Sequence, residues 1–253
     1  MHDPHQNHSC SASLAHGIEL VDPEPEDTVH DPAVRTGGFL LAAYDHMKAK
    51  PAAKDRRVAA ALRADKLSGT DIVAEVVQLC AMNLYLHGIG SATSPVTQKD
   101  ALLDRGDKAF DIVLTNPPFG KRQSFRIVRE DGGIESERHD YVRGDFTVTT
   151  GNKQLNFLQH IMSILKVGGS AAVVTPDNVL FEGGTGETLR KRLLEKFDFH
   201  TLLRLPTGIF YSQGVKANVL FFDRAAPASA SRRRTCGCTT CAPISASPCA
   251  SAR

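Results

Sequence analysis

The stretch that most constrains this chain is DIVLTNPPFG at 111–120, a buried-strand pattern that runs into two consecutive prolines. Ile112, Val113, Leu114 and Thr115 are apolar or β-branched without alternation, as in a parallel strand covered on both faces. Pro117 and Pro118 cannot donate to a ladder, and each holds the residue before it extended. Asn116 and Phe119 are thereby presented from a stiff loop at the carboxyl end of a strand, where open α/β sheets bind ligands.

That loop suits methyl transfer to a conjugated nitrogen. The lone pair of an exocyclic adenine amine, or of an amide, is delocalised and therefore a poor nucleophile. Two acceptors aimed at its N–H groups, the Asn116 side-chain oxygen and the Pro117 carbonyl, would hold the lone pair toward an incoming methyl group. Such catalysis is positioning plus preorganised electrostatics and needs no strong base. Pro118 stiffens the loop, and Phe119 offers a flat face on which an acceptor ring can stack. The structural alternative is a rigid turn with a core phenylalanine; the full Asn-Pro-Pro-Phe sequence after such a strand favours the chemical reading.

Around this strand the chain alternates strand and helix patterns. DPAVRTGGFLLAAYDHMK, residues 31–48, reads as a strand end, a glycine-bearing loop and a helix over 38–48. Residues 51–66 predict a charged, alanine-rich helix with a solvated face. A second strand is expected at 71–73, then a helix over 74–87 with Val76, Val77, Cys80 and Leu84 at helical spacing. A third strand is expected at 94–100. Residues 121–151 form a long polar stretch in which Lys121 and Arg122 are either phosphate contacts or part of a solvated face. The apolar face Leu155, Leu158, Ile161, Met162 and Leu165 predicts a helix over 152–166, stopped by Gly168 and Gly169. Strands at 170–175, 199–205 and 216–222 follow, with a glycine turn and a helix over 187–196 after the first and a loop at 206–214 before the last.

Composition sets further bounds. The chain has 253 residues, 42% of them hydrophobic, enough for one good core. Its net charge of +2 hides an asymmetry: five arginines lie from Arg224 onward, so residues 1–223 carry 25 basic and 28 acidic groups. An acidic-leaning body argues against tight, unaided binding to a phosphate backbone. No apolar run reaches membrane-spanning length and no signal-peptide pattern opens the chain, so a cytoplasmic protein without a membrane partner is expected. Cys80 reads as a core thiol. Cys236, Cys238, Cys241 and Cys249 have zinc-like spacing but lie in Ala, Ser, Thr, Pro and Arg with no fold pattern, and no metal site is expected.

Residues 18–224 resemble the catalytic domain of the methylation subunit of type I restriction–modification systems, the adenine-N6 DNA methylase family. The phrases CAMNLYLHGIG, FDIVLTNPPFGK, TGNKQLNFLQHI, VVTPDNVLFEGG and LPTGIFYSQGVKANVLFFDR carry the likeness. The resemblance implies an α/β, Rossmann-like class I methyltransferase sheet in the order 3-2-1-4-5-7-6 with strand 7 antiparallel. It implies S-adenosyl-L-methionine as donor, adenine N6 of a flipped nucleotide as acceptor, and DNA, a specificity subunit, a second methylation subunit and a restriction subunit as partners. Asn116, Pro117, Pro118 and Phe119 match the catalytic loop. Asp31, Ala33, Thr36, Gly37 and Gly38 match the loop that cradles the donor, and Asp71 matches the carboxylate on its ribose hydroxyls. Asp100 matches the residue that meets the donor's adenine amine; a solvated loop aspartate is the other reading of it. Methylation of a glutamine amide or an RNA base is the alternative activity.

The sequence also departs from the family pattern. Where Asp-Pro-Ala-Cys-Gly-Thr-Gly-Gly is expected, Val34 and Arg35 replace Cys-Gly, which puts a Cβ and a long cation where glycine lets backbone approach a ligand. Residues 1–17, with His2, His5, His8 and His16, show no periodicity and predict a disordered leader in place of the family's Thr-Pro segment. Residues 225–253 have the composition of a gene read out of frame: codons for CGCTTCAPISAS can be chosen whose neighbouring frame spells a family-like phrase. The reading is therefore a leader (1–17), a catalytic domain (18–224) and a disordered tail (225–253), with an inactive fragment as the alternative function.

Overall fold

In the computed structural model, residues 17–119, 124–128, 134–138, 141–205, 216–225 and 237–240 are described. The sheet grows outward from a short strand that is buried along its whole length, β1 (Val29–Asp31). On one side β1 pairs in parallel with β2 (Leu67–Asp71), which pairs with β3 (Val96–Gln98). On its other side lies β4 (Phe110–Thr115), the strand of the Pro-Pro loop. Next in sequence is an antiparallel hairpin, β5 (Ser124–Val128) and β6 (Ile134–Arg138), that stands apart from the main sheet. The long β7 (Leu165–Pro176) runs parallel to β4, and β8 (Asp198–Arg204) and β9 (Ala217–Asp223) close the sheet. Strand β9 is antiparallel to both β7 and β8. The seven strands lie in the order β3-β2-β1-β4-β7-β9-β8, which is the expected 3-2-1-4-5-7-6 with the seventh reversed.

An eighth strand, β10 (Gly237–Thr240), pairs in parallel with β8 at the edge. This corrects the expectation of a tail without order, at these four residues. Backbone N–H and C=O groups of an edge strand accept any extended segment, whatever its side chains. The remainder of the tail beyond 225, its Cys236, Cys241 and Cys249, and the leader at 1–16 lie outside the described residues.

Helices cover both faces. On one face α1 (Gly38–Ala49), α2 (Arg56–Ala64) and α3 (Ala74–Leu86) pack on Val29, Ile112, Leu114, Ala172 and Val174. On the other, α4 (Lys153–Ile164), the short α5 (Asp177–Phe181) and α6 (Thr185–Lys196) cover Val113, Ala171, Val173, Leu220 and Phe222. Adjacent β4 residues thus belong to different cores, which is why the strand reads as a continuous apolar run.

Several boundaries differ from expectation for identifiable reasons. The second strand is Leu67–Asp71, not 71–73, because the pairing with β1 starts at Leu67 even though Ser68 and Gly69 are poor strand formers. Residues 51–66 split into a 3₁₀ turn (Pro51–Lys54) and α2 at Asp55, whose carboxylate caps the helix by accepting from the Arg57 N–H. Helix α4 stops at Ile164, before the glycine pair, since Leu165 already pairs with Phe110 as part of β7.

Candidate active site

The carboxyl ends of β1, β2, β3 and β4 meet along one edge of the sheet, and every residue assigned to the site lies there. The backbone after β1 turns sharply: the Gly37 N–H donates to the Val34 carbonyl at 2.8 Å, with Gly37 at φ 83°. A Cβ at Gly37 would come within 2.9 Å of Cys80 Sγ, so this position requires glycine on both counts. Gly37 caps α1 without a side-chain hydrogen bond, which leaves the amino end of the helix, beginning at Gly38, available to a ligand. The Thr36 carbonyl accepts from Asn83 Nδ2 of α3 at 2.8 Å.

Asp31 is buried under this loop. Its Oδ1 accepts from the Ala33 N–H at 3.0 Å and from Thr115 Oγ1 at 2.6 Å, tying β1 to the end of β4. Burial pushes its carboxyl up to about 7, against the lowering effect of those two hydrogen bonds. It organises the loop from beneath.

Asp71 ends β2 and faces the same loop. One oxygen accepts from the Arg35 N–H at 3.2 Å and the other from the Val73 N–H at 3.1 Å. Asp100 lies just past β3, with Oδ1 accepting from the Leu102 N–H at 2.9 Å and Oδ2 from Tyr141 Oη at 3.1 Å. Burial, and then the charge of Asp100, raise the Tyr141 phenol to about 12, so it is a hydrogen-bond donor at any physiological pH.

On the loop after β4, Pro117 is buried and Pro118 exposed, while Phe119 packs one side against the core beneath α1 and α3. The side-chain oxygen of Asn116 is buried and has no hydrogen-bond partner among the described residues. A buried acceptor left unpaired costs about 1–3 kcal/mol, so its retention asks for a reason.

Gly69 of β2 supports the loop through close packing. A Cβ there would lie 2.6 Å from Val34 Cγ2 and 3.3 Å from the Asp31 carbonyl oxygen. Gly69→Ala is therefore expected to destabilise the fold by about 2–3 kcal/mol, the upper range for overpacking. Urea denaturation of the two proteins checks it, and equal midpoints would contradict the packing described.

Comparison with known proteins bears on this site. Residues 12–235 match the family model described as N-6 DNA Methylase. The chain belongs to the N-6 DNA methylase family. It is 38% identical over 232 residues to the type I restriction enzyme StySPI methylase subunit of Salmonella potsdam, a match covering 87% of this chain and 40% of that protein. The crystal structure of the EcoKI M protein superposes with a TM-score of 0.72 at 38% identity, over 86% of this chain and 44% of that one. A class I S-adenosylmethionine-dependent methyltransferase fold from Listeria monocytogenes, 17% identical, superposes at 0.63 over 92% of this chain and 64% of that one. The chain thus spans less than half the length of these type I relatives.

In the turn after β1 stands Arg35, where the family resemblance leads one to expect glycine. It is exposed and adopts φ 50°, the left-handed region that glycine occupies at no steric cost. Arg35→Gly is expected to stabilise the protein by about 1 kcal/mol by relieving this strain, less some entropy gained by the unfolded chain. A thermal midpoint that fell by several degrees would contradict this.

The site also contains residues that the sequence pattern did not single out. Thr115, Asn83, Tyr141 and Phe157 each touch an assigned residue or its loop. The phrase TGNKQLNFLQHI has a structural use as well. Gln159 is buried and its Oε1 accepts from the N–H groups of Thr147 and Val148, while Asn156 Nδ2 donates to the Thr150 carbonyl. These amides clasp residues 147–150 to α4. Lys121 and Arg122, and the loop at 206–214, lie outside the described residues. Among the described residues no helix is long and apolar enough to cross a membrane.

Proposed function

We propose that this chain is the catalytic domain of an adenine-specific DNA methyltransferase, acting on N6 of a flipped adenine within a type I restriction–modification complex. The observation that carries the reading is the buried, unpartnered Asn116 oxygen at the end of β4. It is an acceptor held ready for an N–H donor that no other described residue supplies. With the Pro117 carbonyl it takes both hydrogens of the amine and keeps the lone pair on the far side. Phe119, backed by the core, supports the ring. Nitrogen gains positive charge as the new bond forms, and the two acceptors stabilise that charge before the proton leaves.

The residues around β1–β3 fit S-adenosyl-L-methionine. Gly37 and Gly38 leave the backbone open at the start of α1, Ala33 and Thr36 line the turn, and Asp31 braces it from below. Asp71 and Asp100 retain acceptor capacity on oxygens already fixed by backbone amides. Ala33, Ala101, Leu102 and Phe157 form a small apolar cluster beside Asp100 that suits the adenine of the donor. The donor supplies a methyl group activated by its sulfonium. One feature argues for a second reading, a fold that holds the donor poorly: the exposed Arg35 on the cradle.

DNA, a specificity subunit, a second methylation subunit and a restriction subunit are the proposed partners, in the cytoplasm. The acidic-leaning body supports delegation of sequence reading, since unaided grip on DNA needs clustered cations. Transfer of labelled methyl from S-adenosylmethionine, assayed with duplex DNA, RNA and a glutamine peptide in a reconstituted complex, tests the reading. Label in N6-methyladenine of DNA is expected; label confined to RNA or to the peptide would overturn it.

A further inference from the structure

The residues that follow the hairpin are not a passive connection. Tyr141 Oη donates to Asp100 Oδ2 at 3.1 Å, and Arg143 Nη1 donates to the carbonyls of Ala101 and Leu102 at 3.2 and 3.4 Å. The Arg143 side chain is only 7% exposed. Its orientation is locked by Asp145, which takes Nε at 2.9 Å and Nη2 at 2.5 Å, and by Phe146, whose ring centre lies 4.2 Å from the guanidinium carbon. The Tyr141 ring packs on the Ala33, Ala101, Leu102 and Phe157 cluster. Residues 147–150 are clasped in turn by Gln159 and Asn156. This segment therefore joins the chain leaving the catalytic loop to the strand end that carries Asp100.

We propose that Tyr141 and Arg143 are positioning residues that orient the Asp100 carboxylate to accept the exocyclic amine of an adenine-bearing ligand. The inference rests on the donor site described above and assigns how that site reads its purine. A loop carboxylate rotates about its last torsion unless both oxygens are held. Here the Leu102 N–H holds Oδ1 and the Tyr141 hydroxyl holds Oδ2, each leaving a second lone pair free. Arg143 fixes the two carbonyls that follow, so the backbone beneath the carboxylate cannot drift. Held this way, Asp100 accepts from an amine and repels a carbonyl at the same ring position. The site is then selective for adenine over its deaminated counterpart, and the segment after the catalytic loop sets that selectivity.

The test uses the full chain and two ligands that differ only at the purine, S-adenosylhomocysteine and S-inosylhomocysteine. Calorimetric titration is expected to show a preference of about 100-fold for the adenine form, as for a site that hydrogen-bonds one group and leaves an unpaired charge with the other. Asp100→Asn should reduce this to a few-fold. Tyr141→Phe, which keeps the ring packing, and Arg143→Met should each lower it to about 10-fold. In the absence of ligand, amide exchange at Leu102 should quicken in both of those variants while the thermal midpoint of Tyr141→Phe stays near that of the parent. Selectivity unchanged in Tyr141→Phe but lost in Asp100→Asn would overturn the positioning role and leave the donor site standing. Selectivity unchanged in Asp100→Asn would overturn the purine-reading role itself. Failure of the parent chain to bind either ligand would remove the donor reading, and this inference with it.

Discussion

Between pH 6 and pH 4 the folded protein is expected to lose stability at about 1.4 kcal/mol per pH unit, about 3 kcal/mol in all. Two buried histidines drive the loss. His30 on β1 is stacked 4.1 Å from Phe110 and bonded to Ser68, and burial lowers it to about 3. His160 on α4 is lowered to about 3 by burial and then by the Arg143 charge beside it. A histidine held below its ordinary 6.5 stabilises the fold above that value, and the contribution fades as pH falls toward 3. Unfolding then takes up about two protons. Asp31 works the other way. Raised to about 7, it is protonated in the folded protein and ionised in the unfolded one above 3.8, so it favours the fold at lower pH. One proton released against two taken up leaves a net uptake of about one, which sets the slope. Carboxylates held low, such as Asp111 at about 2, begin to add to the loss as pH nears 4 and act mainly below this window. Asp31→Asn should therefore double the slope, and His160→Asn should bring it near zero. Urea midpoints at half-unit pH steps measure all three proteins, and a slope unchanged by Asp31→Asn would contradict the assignment.

Asn116→Ala is expected to cut methyl transfer by roughly 30- to 1,000-fold, about 2–4 kcal/mol in the transition state, and to leave folding stability unchanged or slightly higher. The two halves of this result come from one atom. The Asn116 oxygen is buried without a partner among the described residues, so deleting it removes an unmet desolvation cost from the folded state. It also removes an acceptor that would work only while the target amine is reacting. A residue that is structurally dispensable and chemically necessary is the pattern of a functional group, and loss of activity without loss of stability distinguishes it from a packing residue. An unfolded Asn116→Ala protein, or one as active as the parent, would contradict the role given to this oxygen.

How far the sequence could be read depended on whether a residue's partners were local. The strand ending at Thr115 and the turn at Gly37 follow from apolar runs, prolines and glycines whose consequences are felt within a few residues, whereas the order of the strands was implied by the family resemblance. The reading of Arg35 as occupying a glycine position agrees with its φ of 50°. Other features depended on distant partners. Gln154, Asn156, Gln159 and His160 lie outside the apolar face expected for this helix, yet all are buried, with hydrogen bonds to neighbouring loops, among them residues 147–150, and to Asn178 and Arg143. The bounds Leu67–Asp71 are not legible locally, because Ser68 and Gly69 disfavour strands unless a neighbour enforces one. Thr115 gave no signal of its own, since the Asp31 carboxylate it meets lies 84 residues away.

The edge formed by β1 to β4 is the proposed donor site. Calorimetric titration of S-adenosylmethionine into the full chain tests it most directly, beside Asp71→Ala and a version carrying Val34→Cys with Arg35→Gly. The expected result is weak binding by the parent chain, about 10-fold tighter binding by the double variant as the cradle regains its glycine, and no detectable binding by Asp71→Ala. Binding by Asp71→Ala equal to that of the parent would contradict the site as described here.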